Sequence, residues 1–233
     1  MTAYTRQLYH FIFDPQSRLV RLALGEKKLA FEEMPVRYWE SDDAILRLNP
    51  SGLLPILIET PDASVGGKTY KVCESRAILE HLEEIYPAVR LWPADVNERA
   101  EARRLVGWLE RKFDFEVNAL LLHEKMEKRL MSLGAPDIAT MRQGRDALKD
   151  HLKYFDSLIG VRDWMAGQSM SYADFACAAR LSVLDYLDEI NWIRYPALKT
   201  WYSIIKSRPA FRPLLSDRLP GFPAAAHYAE YDF

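Results

Sequence analysis

The sequence predicts an α/β unit followed by an all-helical one, on three observations. Over residues 1–86 the hydrophobic period alternates between two and 3.6, spelling βαβ, a short α, then ββα. A stretch bracketed by Pro87 and Pro93, "PAVRLWPADV", then shows neither period. Past residue 97 every periodic segment is helical. The expected division is an α/β domain over 1–86, a linker over 87–96, a helical domain over 97–215 and a tail over 216–233.

Each element follows from local chemistry. "QLYHFIF" (7–13) alternates and is rich in aromatic and β-branched residues, a strand signature that "DPQS" breaks. "SRLVRLALGEKKL" sets Leu19, Leu22, Ala23 and Leu29 on one helical face. "FEEMPVRYW" reads as a second strand, with Pro35 placing it at a sheet edge. "SDDAILRLNP" is a short helix capped by Ser41 and closed by the turn cluster "NPSG". "LLPILIE" and "KTYKVC" pair around a loop holding Gly66 and Gly67, and "ESRAILEHLEEIY" is an amphipathic helix stopped by Pro87. In the second half, "NERAEARRLVGWLERKFDFEVNALLLHEKMEKRLM" is one long helix or two with a kink. "PDIATMRQGRDALKDHLKYFDSLIG", the very apolar "SMSYADFACAARLSVLDYLDEI" and "PALKTWYSIIKSRPAF" follow.

Composition narrows the function classes. Among 233 residues, 31 are basic and 33 acidic, a net charge of −2, so there is no electrostatic footprint for nucleic acid. Hydrophobic residues at 49 % and charged residues at 27 % fit a globular core. The start, "MTAYTRQLYHF", is read as carrying no signal peptide, and no segment has the apolar length of a membrane span. With two distant cysteines, Cys73 and Cys177, the expectation is a reducing, cytoplasmic setting without disulfides. Cys73 precedes a helix start, where a thiolate can be favoured. No metal site is expected.

Three stretches carry chemistry. In "NPSGLLPIL", Pro55 opens a strand directly after a turn. A cis bond there would aim the Leu54 N–H and C=O at an extended ligand, whereas a trans bond would simply start an edge strand. In "VCESRAILEHL", Glu74 and Ser75 stand at a helix start, either welcoming a ligand carboxylate or merely capping the helix. In "SMSYAD", Ser171 and Asp174 form a capping box, making Asp174 a folding residue.

Taken in order, these stretches resemble the glutathione transferase superfamily across nearly the whole chain. The resemblance implies a thioredoxin-like N-terminal domain, a glutathione-transferase-type helical C-terminal domain, a cis Pro55 and, as is usual there, a homodimer. It also implies a glutathione site at Leu54, Pro55, Glu74 and Ser75. The thiolate-stabilising hydroxyl is missing: Asp14 stands where serine-type members carry it, and the position near Gln16 holds no cysteine. An ionised carboxylate offers acceptors and a like charge, which opposes a thiolate. The site is therefore expected to be vestigial, with no catalytic residue and no cofactor. The alternative is a glutathione-dependent transferase or lyase activated by His10, Tyr9 or Ser17.

The terminus "HYAEYDF" joined to such a body resembles an alphaproteobacterial branch of that superfamily. Its members bind filaments of the division protein FtsZ and promote their curvature or assembly. This implies a cytoplasmic protein recruited to the division site, with FtsZ polymer as partner. His227, Tyr228, Tyr231, Asp232 and Phe233 would then make contacts, the aromatics as anchors and Asp232 setting register. The other reading folds these aromatics back onto the protein's own helices. Tyr38 and Trp39 are likewise either partner anchors or packing under their own loop, and Glu116 is taken as an interaction residue.

Overall fold

Buried Arg6, Leu8 and His10 alternate with more exposed neighbours, and this alternation builds the first strand, β1 (Tyr4–His10). The computed structural model describes residues 4–40, 43–64 and 66–231, in two compact units, Met1–Arg90 and Leu91–Phe233. In the first unit β1 is followed by α1 (Pro15–Glu26), β2 (Glu32–Pro35), α2 (Asp43–Leu48), β3 (Ile56–Pro61), β4 (Tyr70–Cys73) and α3 (Ser75–Ile85). The sheet order is β2-β1-β3-β4. β1 runs parallel to β2 and antiparallel to β3, with Gln7 opposite Glu32 and Leu8 opposite Leu57. β4 closes the sheet antiparallel to β3. Pro35 lies on the edge strand, where its missing N–H costs no ladder bond. Leu8, Leu19, Leu22, Ala23, Leu57, Ile78, Leu79 and Leu82 are fully buried and make the core of this unit.

Several boundaries differ from the sequence expectation. β1 stops at His10, because the chain turns there and the Asp14 N–H donates to the Phe11 carbonyl at 3.1 Å. Phe11 and Phe13 are apolar for burial rather than for strand pairing. α1 ends at Glu26 because Lys28 takes a left-handed conformation, φ 56°, so Leu29 leaves the helical face. The expected Ser41 cap lies outside the described residues.

The second unit opens on one unbroken helical run. α4 (Val96–Trp108) passes through a π-helical segment (Leu109–Asn118), α5 (Ala119–Leu122), a second π segment (His123–Glu127) and α6 (Lys128–Leu130). The choice between one helix and two resolves to one, widened twice. α7 (Ile138–Ile159), α8 (Tyr172–Tyr186), α9 (Pro196–Lys206) and α10 (Arg212–Ser216) follow. Every residue of α8 is buried, as its apolar sequence requires. α7 approaches α5 closely at Gly144, where a Cβ would sit 2.9 Å from Leu121 Cγ. Among the described residues no helix is long and apolar enough to cross a membrane.

Candidate functional site

The first unit gathers the residues expected to form a ligand site at the meeting of α1, α3 and β3. The Leu54–Pro55 bond is cis, as expected. The Pro55 carbonyl accepts from the Glu74 N–H at 2.9 Å. Glu74 sits at φ 71°, a conformation that costs a non-glycine residue on the order of 1–3 kcal/mol. That turn leaves its carboxylate exposed and makes no side-chain cap on α3. Ser75 is buried, and its hydroxyl donates to Gln16 Oε1 on α1 at 2.6 Å. Leu54 packs its side chain against Val36, Ile45 and Ile56. Its backbone N–H and C=O have no partner among the described residues.

Asp14 has a role the sequence reading did not assign. It is the N-cap of α1, with Pro15 at the first helical position. One carboxylate oxygen accepts from the Ser17 N–H at 2.8 Å and from the Ser17 hydroxyl at 2.6 Å, and the other from the Gln16 N–H at 3.3 Å. The "DP" pair before a helix carried this signal in the sequence. The same geometry removes Ser17 as a thiolate donor, because its proton is given to Asp14 and its side chain is buried. His10 is fully buried with Nε2 3.6 Å from Glu33 Oε2, inside the fold. This imidazole, with Arg21, holds the Glu33 carboxyl down at about 2. Tyr9 packs half-buried against the Val36 cluster. Cys73 is no thiolate candidate: burial pushes its thiol up, and Sγ faces the Leu48 carbonyl at 3.8 Å.

Tyr38 and Trp39 occupy a single 3₁₀ turn (Tyr38–Glu40) and are half-buried. They form an edge-to-face trio with Phe11, the ring centroids 5.1–5.6 Å apart. Both residues thus pack under their own loop while keeping an exposed edge.

In the second unit, Glu116 lies on the first π segment, where its carboxylate meets Lys112 and His151 Nε2, the latter at 3.0 Å. His151 Nδ1 accepts from the Trp108 indole at 3.1 Å, which places the ring proton on Nε2, facing Glu116. Lys112 first, then His151, pulls the Glu116 carboxyl below its usual range.

The tail is split in its roles. Tyr228, expected as a partner anchor, is fully buried, and this corrects that expectation. Its ring packs edge-on against Tyr186 at 5.1 Å and its hydroxyl donates to the Leu214 carbonyl at 3.0 Å. An aromatic with one polar tip is stable inside once that tip is satisfied. His227 is half-buried, with Nε2 2.8 Å from Asp185 Oδ1. Tyr231 is 45 % exposed, and Asp232 and Phe233 lie outside the described residues. Sequence reasoning missed Asp185 and Lys206, both buried. The signal available was a carboxylate near the end of the mostly apolar α8 and an ammonium closing the amphipathic α9. Asp174 is placed as expected, in a capping box with Ser171.

Comparison with known proteins matches residues 8–90 to the glutathione S-transferase N-terminal domain and residues 139–218 to the C-terminal domain. The chain is 57 % identical over 228 residues to FtsZ-localized protein A of Caulobacter vibrioides, covering 98 % of each chain. It superposes on the solved structure of FzlA from C. crescentus with a TM-score of 0.95, at 57 % identity over 98 % of this chain and 100 % of that one. A glutathione S-transferase structure from Rhodospirillum rubrum F11 is 41 % identical with a TM-score of 0.91, over 98 % and 100 % of the two chains. Glutathione S-transferase 3 of Zea mays is 28 % identical over 218 residues, 88 % of this chain and 91 % of that protein. The mixed four-stranded sheet with its cis-proline turn, the helical second unit and these matches lead to one assignment: the chain belongs to the glutathione S-transferase family.

Proposed function

We propose that this protein is a non-catalytic, glutathione-transferase-fold homodimer that binds FtsZ filaments and promotes their curvature or assembly at the division site. The observation that carries the reading is identity of 57 % across 98 % of both chains with a protein named for its localisation to FtsZ. Support for the absence of transferase chemistry comes from Asp14. Its carboxylate is committed to the start of α1, draws in the Ser17 hydroxyl, and offers no donor to a sulfur anion. Leu54, Pro55, Glu74 and Ser75 are on this view an inherited frame, and no cofactor is needed. The partner surface would draw on Tyr231, Asp232 and Phe233, with His227 at their root, and on the exposed edges of Tyr38, Trp39 and Glu116. Two copies on one dimer bridge or bend a polymer by raising effective concentration, without a strong single contact.

The test is co-sedimentation with FtsZ polymer. Because Tyr228 is part of the core, the truncation should remove only residues 230–233. Loss of pelleting, with dimer mass by light scattering and unfolding midpoint unchanged, is the expected result; full pelleting by the truncated protein would refute the tail's part in it.

A second reading, glutathione conjugation, is favoured by one observation: the cis Pro55 turn and the Ser75–Gln16 pair keep a ligand frame in place. Calorimetry at millimolar glutathione beside turnover of an electrophilic substrate decides between the two. Heat together with turnover would establish the second reading.

A further inference from the structure

The root of the tail is tied to a buried charge cluster in the second unit. Lys206 Nζ and Asp185 Oδ2 stand 3.6 Å apart with both side chains wholly buried. Burying either ion alone would cost several kcal/mol, so the surroundings must compensate the pair. They do so through three donors to Asp185 besides Lys206 itself. Asp185 Oδ1 accepts from the Trp192 indole at 2.7 Å and from His227 Nε2 at 2.8 Å. Oδ2 receives the Tyr202 hydroxyl at 3.3 Å as well as the Lys206 ammonium. Lys206 also donates to the His227 carbonyl at 3.3 Å and faces the rings of Tyr202 and Tyr228 at 5.6 and 5.8 Å. The Ala225 N–H donates to the Tyr186 carbonyl at 3.0 Å, and Tyr228 is held as described. One side chain of this cluster reaches solvent through the tail itself: His227, at 27 % exposure.

We propose that Asp185, Lys206 and His227 form an internal clasp that positions the segment after Tyr228 for its partner, and that the charge on His227 sets the strength of the grip. This rests on the reading that the tail meets the FtsZ polymer. The clasp holds both the side chain and the carbonyl of His227, so the next residues leave the body from one fixed point. Preorganising a short segment in this way removes ordering cost that binding would otherwise meet. The groups facing His227 are Asp185 from α8, Asp188 just past its end, and Lys206 from α9; Glu230 of the tail faces Lys206 in turn. The hydrogen bond to Asp185 raises the His227 pKa above its ordinary 6.5, against burial and Lys206. A raised histidine contributes fully below the unfolded value, and its contribution is lost as pH climbs through the folded value. The grip is therefore strongest below about 6.5 and slackens as pH climbs through the raised folded value.

The experiment measures hydrogen exchange of residues 229–231, corrected for intrinsic rates, and co-sedimentation with FtsZ polymer. Both run at about pH 6 and about pH 8, on either side of an ordinary histidine. Wild-type protein should lose protection and pelleting at the higher pH. His227→Gln keeps a donor without a titrating proton, and should show a flat pH profile against the same polymer. His227→Ala should expose the segment at both pH values and weaken binding about tenfold, the size of one charge-assisted hydrogen bond. Wild-type exchange and pelleting in both variants, while truncation of residues 230–233 abolishes pelleting, would overturn the clasp and leave the partner reading intact. Full pelleting after truncation would remove the tail as the binding segment, and the clasp with it.

Discussion

The Asp14 carboxylate caps the N-terminus of α1, directly before Pro15 at the first helical position. It accepts two backbone N–H groups, those of Gln16 and Ser17, and the Ser17 hydroxyl proton. That geometry predicts a stability effect. Asp14→Ala should lower unfolding free energy by about 1–2 kcal/mol, and Asp14→Asn by much less, since asparagine caps nearly as well. Urea titrations of the two variants check this, and equal losses would mean that the cap is not the source. The capping role was legible in "DPQS", because Asp followed by Pro is a local signal. The engagement of Ser17 and the pairing of Ser75 with Gln16 were not, because they depend on side-chain direction across 59 positions in the second case.

Among elements, α8 was the most legible and rests on the most demanding residue. Its box forms as the "SMSYAD" spacing requires, a short-range pattern that survives any tertiary context. The structure adds that Asp174 also accepts from the Met165 N–H at 2.9 Å and the Trp201 indole at 3.0 Å. Asp174→Ala would strand several buried donors, so it should cost more than about 3 kcal/mol, against about 1 kcal/mol for Ser171→Ala. Denaturant midpoints of the two variants measure the gap, and similar losses would limit Asp174 to ordinary capping. Element ends were less legible. β1 and α1 each stop short of their hydrophobic pattern, because Phe11, Phe13 and Leu29 are apolar for packing, which periodicity cannot separate from pairing.

For the molecule as a whole, net charge near zero conceals ion pairs that set its response to acid. Glu101 is held at about 2, first by its hydrogen bonds to Arg104 and then, against burial, by Arg162, compared with an ordinary 4.5. Between those values the unfolded chain binds a proton that the folded chain does not, so stability falls as pH drops from about 4.5 toward 2. Asp174 acts in the opposite sense: burial lifts its carboxyl to about 6 from 3.8, so over that interval the folded chain binds the extra proton. The Asp174 contribution therefore favours folding as pH falls from about 6 to 3.8, whereas the Glu101 contribution is lost on the lower limb, from about 4.5 toward 2. Glu101→Gln should make the lower limb shallower in denaturant titrations at successive pH values; an unchanged slope would mean the pair is screened.

The α/β unit, the helical unit, their order and the capping box were decided by patterns that recur within a turn or a strand, and local physics reads those patterns. The family motifs around Pro55 and Ser75 were equally visible, being contiguous. What the tertiary structure alone decided is where buried polar groups find partners. Asp185 meets Lys206 and His227 across 21 and 42 positions, and Tyr228 turns inward to pack on Tyr186. Desolvation drives those choices: a charge or a ring settles where its cost is met by distant neighbours, which no short window of sequence contains.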